Sequence, residues 1–207
     1  MKAIVLSVVS IALLSFISCQ SSLDKDTTIE IPYTVSAFQD HMLNEINFAR
    51  TNPAIYADIR LRTYMQDSID NGSYLFMKSL TPLKALLLNN SLNITATNYA
   101  LFLADNNLFG HDLNGTALKR AIAVGYNGDA IGENIAASSD DNFNPAVDSQ
   151  IAAISFVRIT IIDACVPNLG HRKMILNSFY TTIGIGYGNN PSSKFVNYNV
   201  QEYGSLN

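Results

Sequence analysis

Two imidazoles and one carboxylate, each beside a glycine, are the groups through which this 207-residue chain can do chemistry: His111 in His-Asp-x-x-Gly, Glu133 in Gly-Glu-Asn-Ile-Ala and His171 in Gly-His-Arg. Neutral imidazole nitrogen and carboxylate oxygen are ligands for Zn²⁺, and a cleft lined by them would equally bind a polar molecule. His111 and His171 stand far apart in the chain, so no local spacing of the His-x-x-x-His kind specifies a metal. Each residue also has a plain structural reading. His111 would satisfy a carbonyl at a loop corner, His171 and Arg172 would start a helix and pair with a carboxylate, and Glu133 would cap a strand end or hold Asn134.

The elements that must position these residues are legible in the patterning. Val35, Phe38, Met42, Ile46 and Ala49 recur at helical intervals, with Ser36 and Gln39 at capping-box spacing. This predicts a helix from near Thr34 to Asn52, where Pro53 interrupts it and restarts the next. Pro82 after Thr81, with Leu83, Leu86 and Leu87 as an apolar stripe, predicts another helix. A further one, capped by Ser91, buries Leu92, Ala96, Tyr99, Ala100 and Leu103 and delivers the chain to Phe109-Gly110-His111. Thr116 opens a short helix ended by Gly125, and Asn144-Pro145 opens a long apolar helix toward Ile162, closed before Pro167.

Strand signals gather late. Thr181 to Tyr187 and Phe195 to Tyr203 alternate on either side of the loop Asn189 to Ser193 and read as an antiparallel pair, with a third strand through Gly132 to Ala137. Helices first and a hairpin last make the fold class α+β. Gly184-Ile185-Gly186-Tyr187-Gly188 lacks the lysine and the following helix of a phosphate loop, and reads as close packing within a strand.

At the N-terminus, Lys2 leads into an apolar run from Ala3 to Ile17, short for a membrane span, which needs about 20 apolar residues. It reads as an export signal. Phe16-Ile17-Ser18-Cys19 has the form of a bacterial lipobox, with Phe16 where Leu is usual. Cleavage before Cys19 and lipidation of its thiol would make residues 1–18 a lipoprotein signal peptide, 19–33 a flexible tether and 34–207 one folded domain. An ordinary secretory signal cut nearby is the other reading, and both export the protein. The chain has 2 cysteines, so a lipidated Cys19 leaves Cys165 without a disulfide partner. A net charge of −4 offers no footprint for nucleic acid.

The motifs form a series: Leu43-Asn44-Glu45-Ile46-Asn47-Phe48-Ala49-Arg50, His111-Asp112-x-x-Gly115, Arg120, Gly125-Tyr126, Gly132-Glu133-Asn134-Ile135-Ala136, Gly170-His171-Arg172 with Ile175-Leu176, Gly184-Ile185-Gly186 and Gln201-Glu202-Tyr203-Gly204. In this order they resemble the CAP superfamily, which unites cysteine-rich secretory proteins, antigen 5, plant pathogenesis-related proteins and bacterial SCP-like domains. The resemblance covers most of the chain. It implies a three-layer α/β/α sandwich with a small antiparallel sheet between helices. It also implies that His111, Glu133 and His171 share one cleft, with Asn134 and Arg172 as further ligand-binding residues. On that footing Zn²⁺ is the expected cofactor, held by His111, His171 and Glu133 with an open position for water.

The trio matches three members of the family's tetrad of two histidines and two acidic residues. The fourth, expected on the long helix before Gly-His, is missing: no Glu occurs between Glu133 and Glu202, and that helix offers Ile154, Val157 and Ile161. Asp148 and Asp163 are the acidic substitutes within reach. Asp163 lies in a segment resembling the Asp-x-x-Val-Pro of bacterial members, and is read as organising the turn or accepting a hydrogen bond from the loop.

Two function classes follow. The favoured one is a non-catalytic, exported binding domain, anchored in the cell envelope through Cys19, whose cleft holds a small-molecule, lipid or cell-surface ligand and a divalent metal. The resemblance implies that some relatives bind sterols or other lipids and that no common enzymatic activity unites them. The second is a hydrolase for peptides or cell-wall material with His111, Glu133 and His171 as catalytic residues, metal-bound water as nucleophile and Glu133 as base. Glu133 cannot be both ligand and base there. A Cys165–His171 nucleophile is a third chemistry, weaker because unpaired cysteines are more often small apolar core groups. His41, in the first helix with no motif around it, reads as a surface or boundary residue.

Overall fold

The computed structural model describes residues 4–5, 33–64, 72–128, 130–164 and 166–205. The segments read as an export signal and a tether, apart from residues 4–5 and 33, lie outside the described residues, as do Cys19 and Cys165. Helix α1 (Tyr33–Thr51) buries Phe38, Met42, Ile46 and Ala49, the stripe its periodicity predicts. It starts upstream of the expected capping box, so Ser36 lies inside the helix and Gln39 does not cap. The buried Gln39 amide instead donates to the carbonyl of Ile185 at 2.6 Å, tying α1 to the sheet. Pro53 does restart the chain as α2 (Pro53–Tyr56), which runs on through the wider turn Ala57–Leu61. Helix α3 (Ser73–Ser79) has no counterpart among the sequence expectations.

The helix expected after Pro82 does not form, and Leu87–Leu88 is instead a short strand, β2. The backbone just before β2 is instead held by α1. The Leu83 N–H donates to the Arg50 carbonyl at 2.8 Å, and Leu86 exchanges two hydrogen bonds with the Asn47 side chain at 2.7 and 3.0 Å. Tertiary partners override the local leucine stripe. Arg50 itself, buried at the end of α1, donates to the carbonyls of Lys84, Ile175 and Asn177.

Helix α4 (Asn90–Asp105) buries Leu92, Ala96, Tyr99, Ala100 and Leu103 as expected, but its cap is Asn89 rather than Ser91, since the Asn89 side chain accepts from the Leu92 N–H at 3.0 Å. Thr116 caps α5 (Ala117–Ala123), and Gly125 follows with φ +88°, the left-handed turn that a glycine makes at least cost. Strand β3 (Ile131–Ser138) precedes α6 (Pro145–Ile162), which Asn144 caps. Helix α7 (Gly170–Ile175) leads to β4 (Thr182–Asn189) and β5 (Asn197–Gly204).

The sheet runs β1-β3-β5-β4-β2, where β1 is the pair Ile4–Val5 laid antiparallel on Ala137 and Ser138. Strands β3, β5 and β4 are antiparallel over their whole lengths, while β2 adds to β4 in parallel. One face packs on α1 and α6 through Ile183, Ile185, Tyr187 and Tyr203; the other packs on α4 through Ile135, Ala137, Tyr198 and Val200. The result is the α/β/α sandwich.

Close packing explains the glycine run in β4. A Cβ on Gly184, Gly186 or Gly188 would lie 2.0–2.2 Å from the backbone of Leu92, Ala96 or Ala100, one helical turn apart on α4. Only hydrogen fits there.

Candidate functional site

The segment between α4 and α5 carries His111, and Tyr99 on α4 holds it. The Tyr99 hydroxyl donates to the Gly110 carbonyl at 2.7 Å and accepts from the Leu113 N–H at 3.1 Å, clasping the chain on both sides of His111. Burial pushes the Tyr99 hydroxyl up to about 12, with the charge of Glu133 as a lesser contribution, so it stays a neutral donor. Positive φ at Asp112 (59°) and Gly115 (80°) turns the loop tightly enough to reach the end of β3.

There His111 Nδ1 meets Glu133 Oε1 at 2.5 Å. The second Glu133 oxygen accepts from Nη2 of Arg120 on α5, and Arg120 Nη1 donates to the Gly115 carbonyl. The Arg120 guanidinium also lies 3.5 Å from the centroid of the Tyr99 ring, a cation–π contact. Behind them stands Glu202. It faces Glu133 directly in the β3–β5 register, and its Oε1 accepts from the same Arg120 Nη2 at 3.3 Å. Side-chain exposure falls from 29% at His111 to 10% at Arg120, 5% at Glu133 and 0% at Glu202, so the imidazole is the rim and the carboxyl pair the floor.

Burial, and next the neighbouring charge of Glu133, raises the Glu202 carboxyl well above the ordinary carboxylate range. Its second oxygen, Oε2, is buried without a hydrogen-bond partner among the described residues, which adds to the cost of charging the group.

His171 does not join this group. Glu133 and Asn134 point to opposite faces of β3, as adjacent strand residues must, and the Asn134 amide donates to the His171 carbonyl at 3.2 Å on the far face. His171 is buried there with Nδ1 2.8 Å from Asp163 Oδ1, while the other Asp163 oxygen accepts the Arg172 N–H at 3.1 Å. Asp163 takes the left-handed conformation at the end of α6 (φ 55°) and organises the turn, the role its segment suggested. Arg172, also buried, donates to the carbonyls of Ile161 and Ile162 at 2.6 and 2.8 Å. Asn134 and Arg172 are thus engaged inside the fold. Asp148 is exposed at a break within α6 (φ −155°), where it accepts from the Gln150 and Ile151 N–H groups. His41 is half-buried against the Ser149 hydroxyl at 3.0 Å.

The arrangement does not fit a zinc ion held by His111, Glu133 and His171, because two of these residues contact each other directly and the third is bonded on the other side of β3. Among the described residues, no three His, Cys, Asp or Glu side chains are grouped to hold a metal ion. Sequence reasoning passed over Glu202 and Tyr99 as site residues and noted Arg120 only as a motif position. Pairing the acidic position of Gly-Glu-Asn with that of Gln-Glu-Tyr across adjacent strands was the signal that would have found Glu202.

Residues 43–203 match the model of the cysteine-rich secretory protein family, CAP. No curated protein matches the chain. Similar solved structures include an extracellular protein containing a SCP domain from Bacillus anthracis str. Ames, 23% identical, with a TM-score of 0.44 over 60% of this chain and 35% of that one. Another is an outer surface protein from Borrelia burgdorferi, 17% identical, with a TM-score of 0.47 over 60% of this chain and 80% of that one.

Proposed function

We propose that this chain, which belongs to the cysteine-rich secretory protein family, is an exported binding domain whose ligand meets the imidazole of His111. The observation that carries this reading is the graded exposure of the site: His111 alone reaches the surface, with its acidic partners sealed behind it. Glu133 holds Nδ1, which leaves Nε2 as the ring nitrogen for a ligand, in an orientation set before binding. Glu133 is not favoured as the base of a hydrolase, because both of its oxygens are already engaged, by His111 and by Arg120. The apolar run from Ala3 to Ile17 supports export, and Phe16-Ile17-Ser18-Cys19 supports a lipid anchor that keeps the domain at the cell envelope.

The test is retention. A muropeptide digest and a panel of sterols and phospholipids are passed over the immobilised protein. A component retained by the native protein and lost in His111→Ala supports the reading; equal retention by that variant removes it. Cleaved products that vanish in Glu133→Gln would replace binding with hydrolysis. The anchor is checked by detergent partition, which Cys19→Ala should abolish.

A further inference from the structure

We propose that the guanidinium of Arg120 is the resident cation of this site, filling the place that a divalent metal would take between Glu133 and Glu202, so that the domain works without metal. Two acidic side chains that face each other across β3 and β5 both direct an oxygen at one nitrogen, Arg120 Nη2. The group is held from two further sides, by the Gly115 carbonyl that accepts from Nη1 and by the Tyr99 ring, whose centroid lies 3.5 Å from its carbon, and its side chain is only 10% exposed. A divalent cation entering here would have to displace a charge that is already bonded, or stand beside it against Coulomb repulsion in a poorly solvated place. Glu133, the carboxylate that the resemblance assigns to zinc, is thus bonded to an internal cation in this chain. The site also gains, from β5, the acidic residue that α6 lacks.

Removing the guanidinium would leave the Glu133 and Glu202 carboxylates facing each other with no cation between them, and carboxylate oxygens suit a divalent cation such as Zn²⁺ in its place. The inference holds whichever ligand meets His111, so its failure and the failure of the binding reading are separate results.

The experiment is thermal denaturation with and without Zn²⁺. The native protein should show no zinc-dependent shift. Arg120→Ala should melt lower than native in the absence of zinc and rise by about 5 °C or more when zinc stands roughly 100-fold above its dissociation constant. The rise should vanish in the double variant Arg120→Ala, Glu133→Gln. Arg120→Lys, which keeps the charge, should remain insensitive to zinc; a purely steric role for Arg120 would make it respond like Arg120→Ala. If Arg120→Ala folds only with zinc the proposal stands, and if it folds under neither condition Arg120→Gln is measured instead. A zinc-dependent rise in the native protein that His111→Ala removes overturns the proposal, as does a folded Arg120→Ala that gains nothing from zinc.

Discussion

Histidine meets a carboxylate twice in this fold, at 2.5 Å in His111–Glu133 and at 2.8 Å in His171–Asp163, and an arginine attends each pair. The two sites nevertheless do opposite work. His171 and Asp163 have side chains 3% and 0% exposed; Asp163 also accepts the Arg172 N–H, and the Arg172 guanidinium donates to the last carbonyls of α6. This pair fastens the end of α6 to the start of α7. The His111 pair sits on a loop clasped by Tyr99, with its imidazole partly in solvent and its arginine turned toward carboxylates rather than carbonyls. Residue types alone do not separate a fastening from a binding group; solvent access and the arginine's partners do.

The comparison breaks first at Asp163. Asp163→Ala leaves the His171 ring and the Arg172 N–H without their buried acceptor and places alanine at a φ of 55°, so a loss of roughly 3–5 kcal/mol is expected, seen as a fall in Tm of about 10 °C or more. A variant that melts within about 2 °C of native would show that the far site is not a fastening.

Next in size is the pH dependence set by Glu202. Its folded pKa is raised above an unfolded value of about 4.3, so the folded state holds the proton more tightly. Stability from this group is complete below about pH 4 and falls as pH rises toward the folded pKa, by about 1.4 kcal/mol per unit of displacement. Glu202→Gln mimics the protonated carboxyl and should match the native protein near pH 4 while melting above it at pH 7. Destabilisation at pH 7 would mean that Glu202 is an ordinary ion-pair partner of Arg120.

The smallest effect is expected at the rim. His111→Ala should change stability by about 1–2 kcal/mol, less than Asp163→Ala, because the side chain removed is 29% exposed and Arg120 still holds the Glu133 carboxylate. A loss as large as that of Asp163→Ala would make the two histidines equivalent.

Much of the frame was legible from local signals: the caps at Thr116 and Asn144, the stripe of α1, the late hairpin, and β3 each rest on chemistry within a few residues. The Pro82 helix failed because its hydrogen-bond partners lie on α1, beyond any local window. The site divided along the same line. The resemblance implied one cleft for His111, Glu133 and His171; the first two are in contact, whereas the place of His171 depends on which face of β3 each motif approaches. Glu202 was visible as a motif residue, but its partner emerges only from strand register.

The glycine seam of β4 has a consequence for the distant loop. A methyl at Gly186 would press on the backbone of Ala96, and the helix could yield only by lifting away from the strand. Tyr99, three residues further along α4, would travel with it and slacken its grip on Gly110 and Leu113. A substitution buried in the middle of the molecule would thus surface as a misplaced imidazole at position 111.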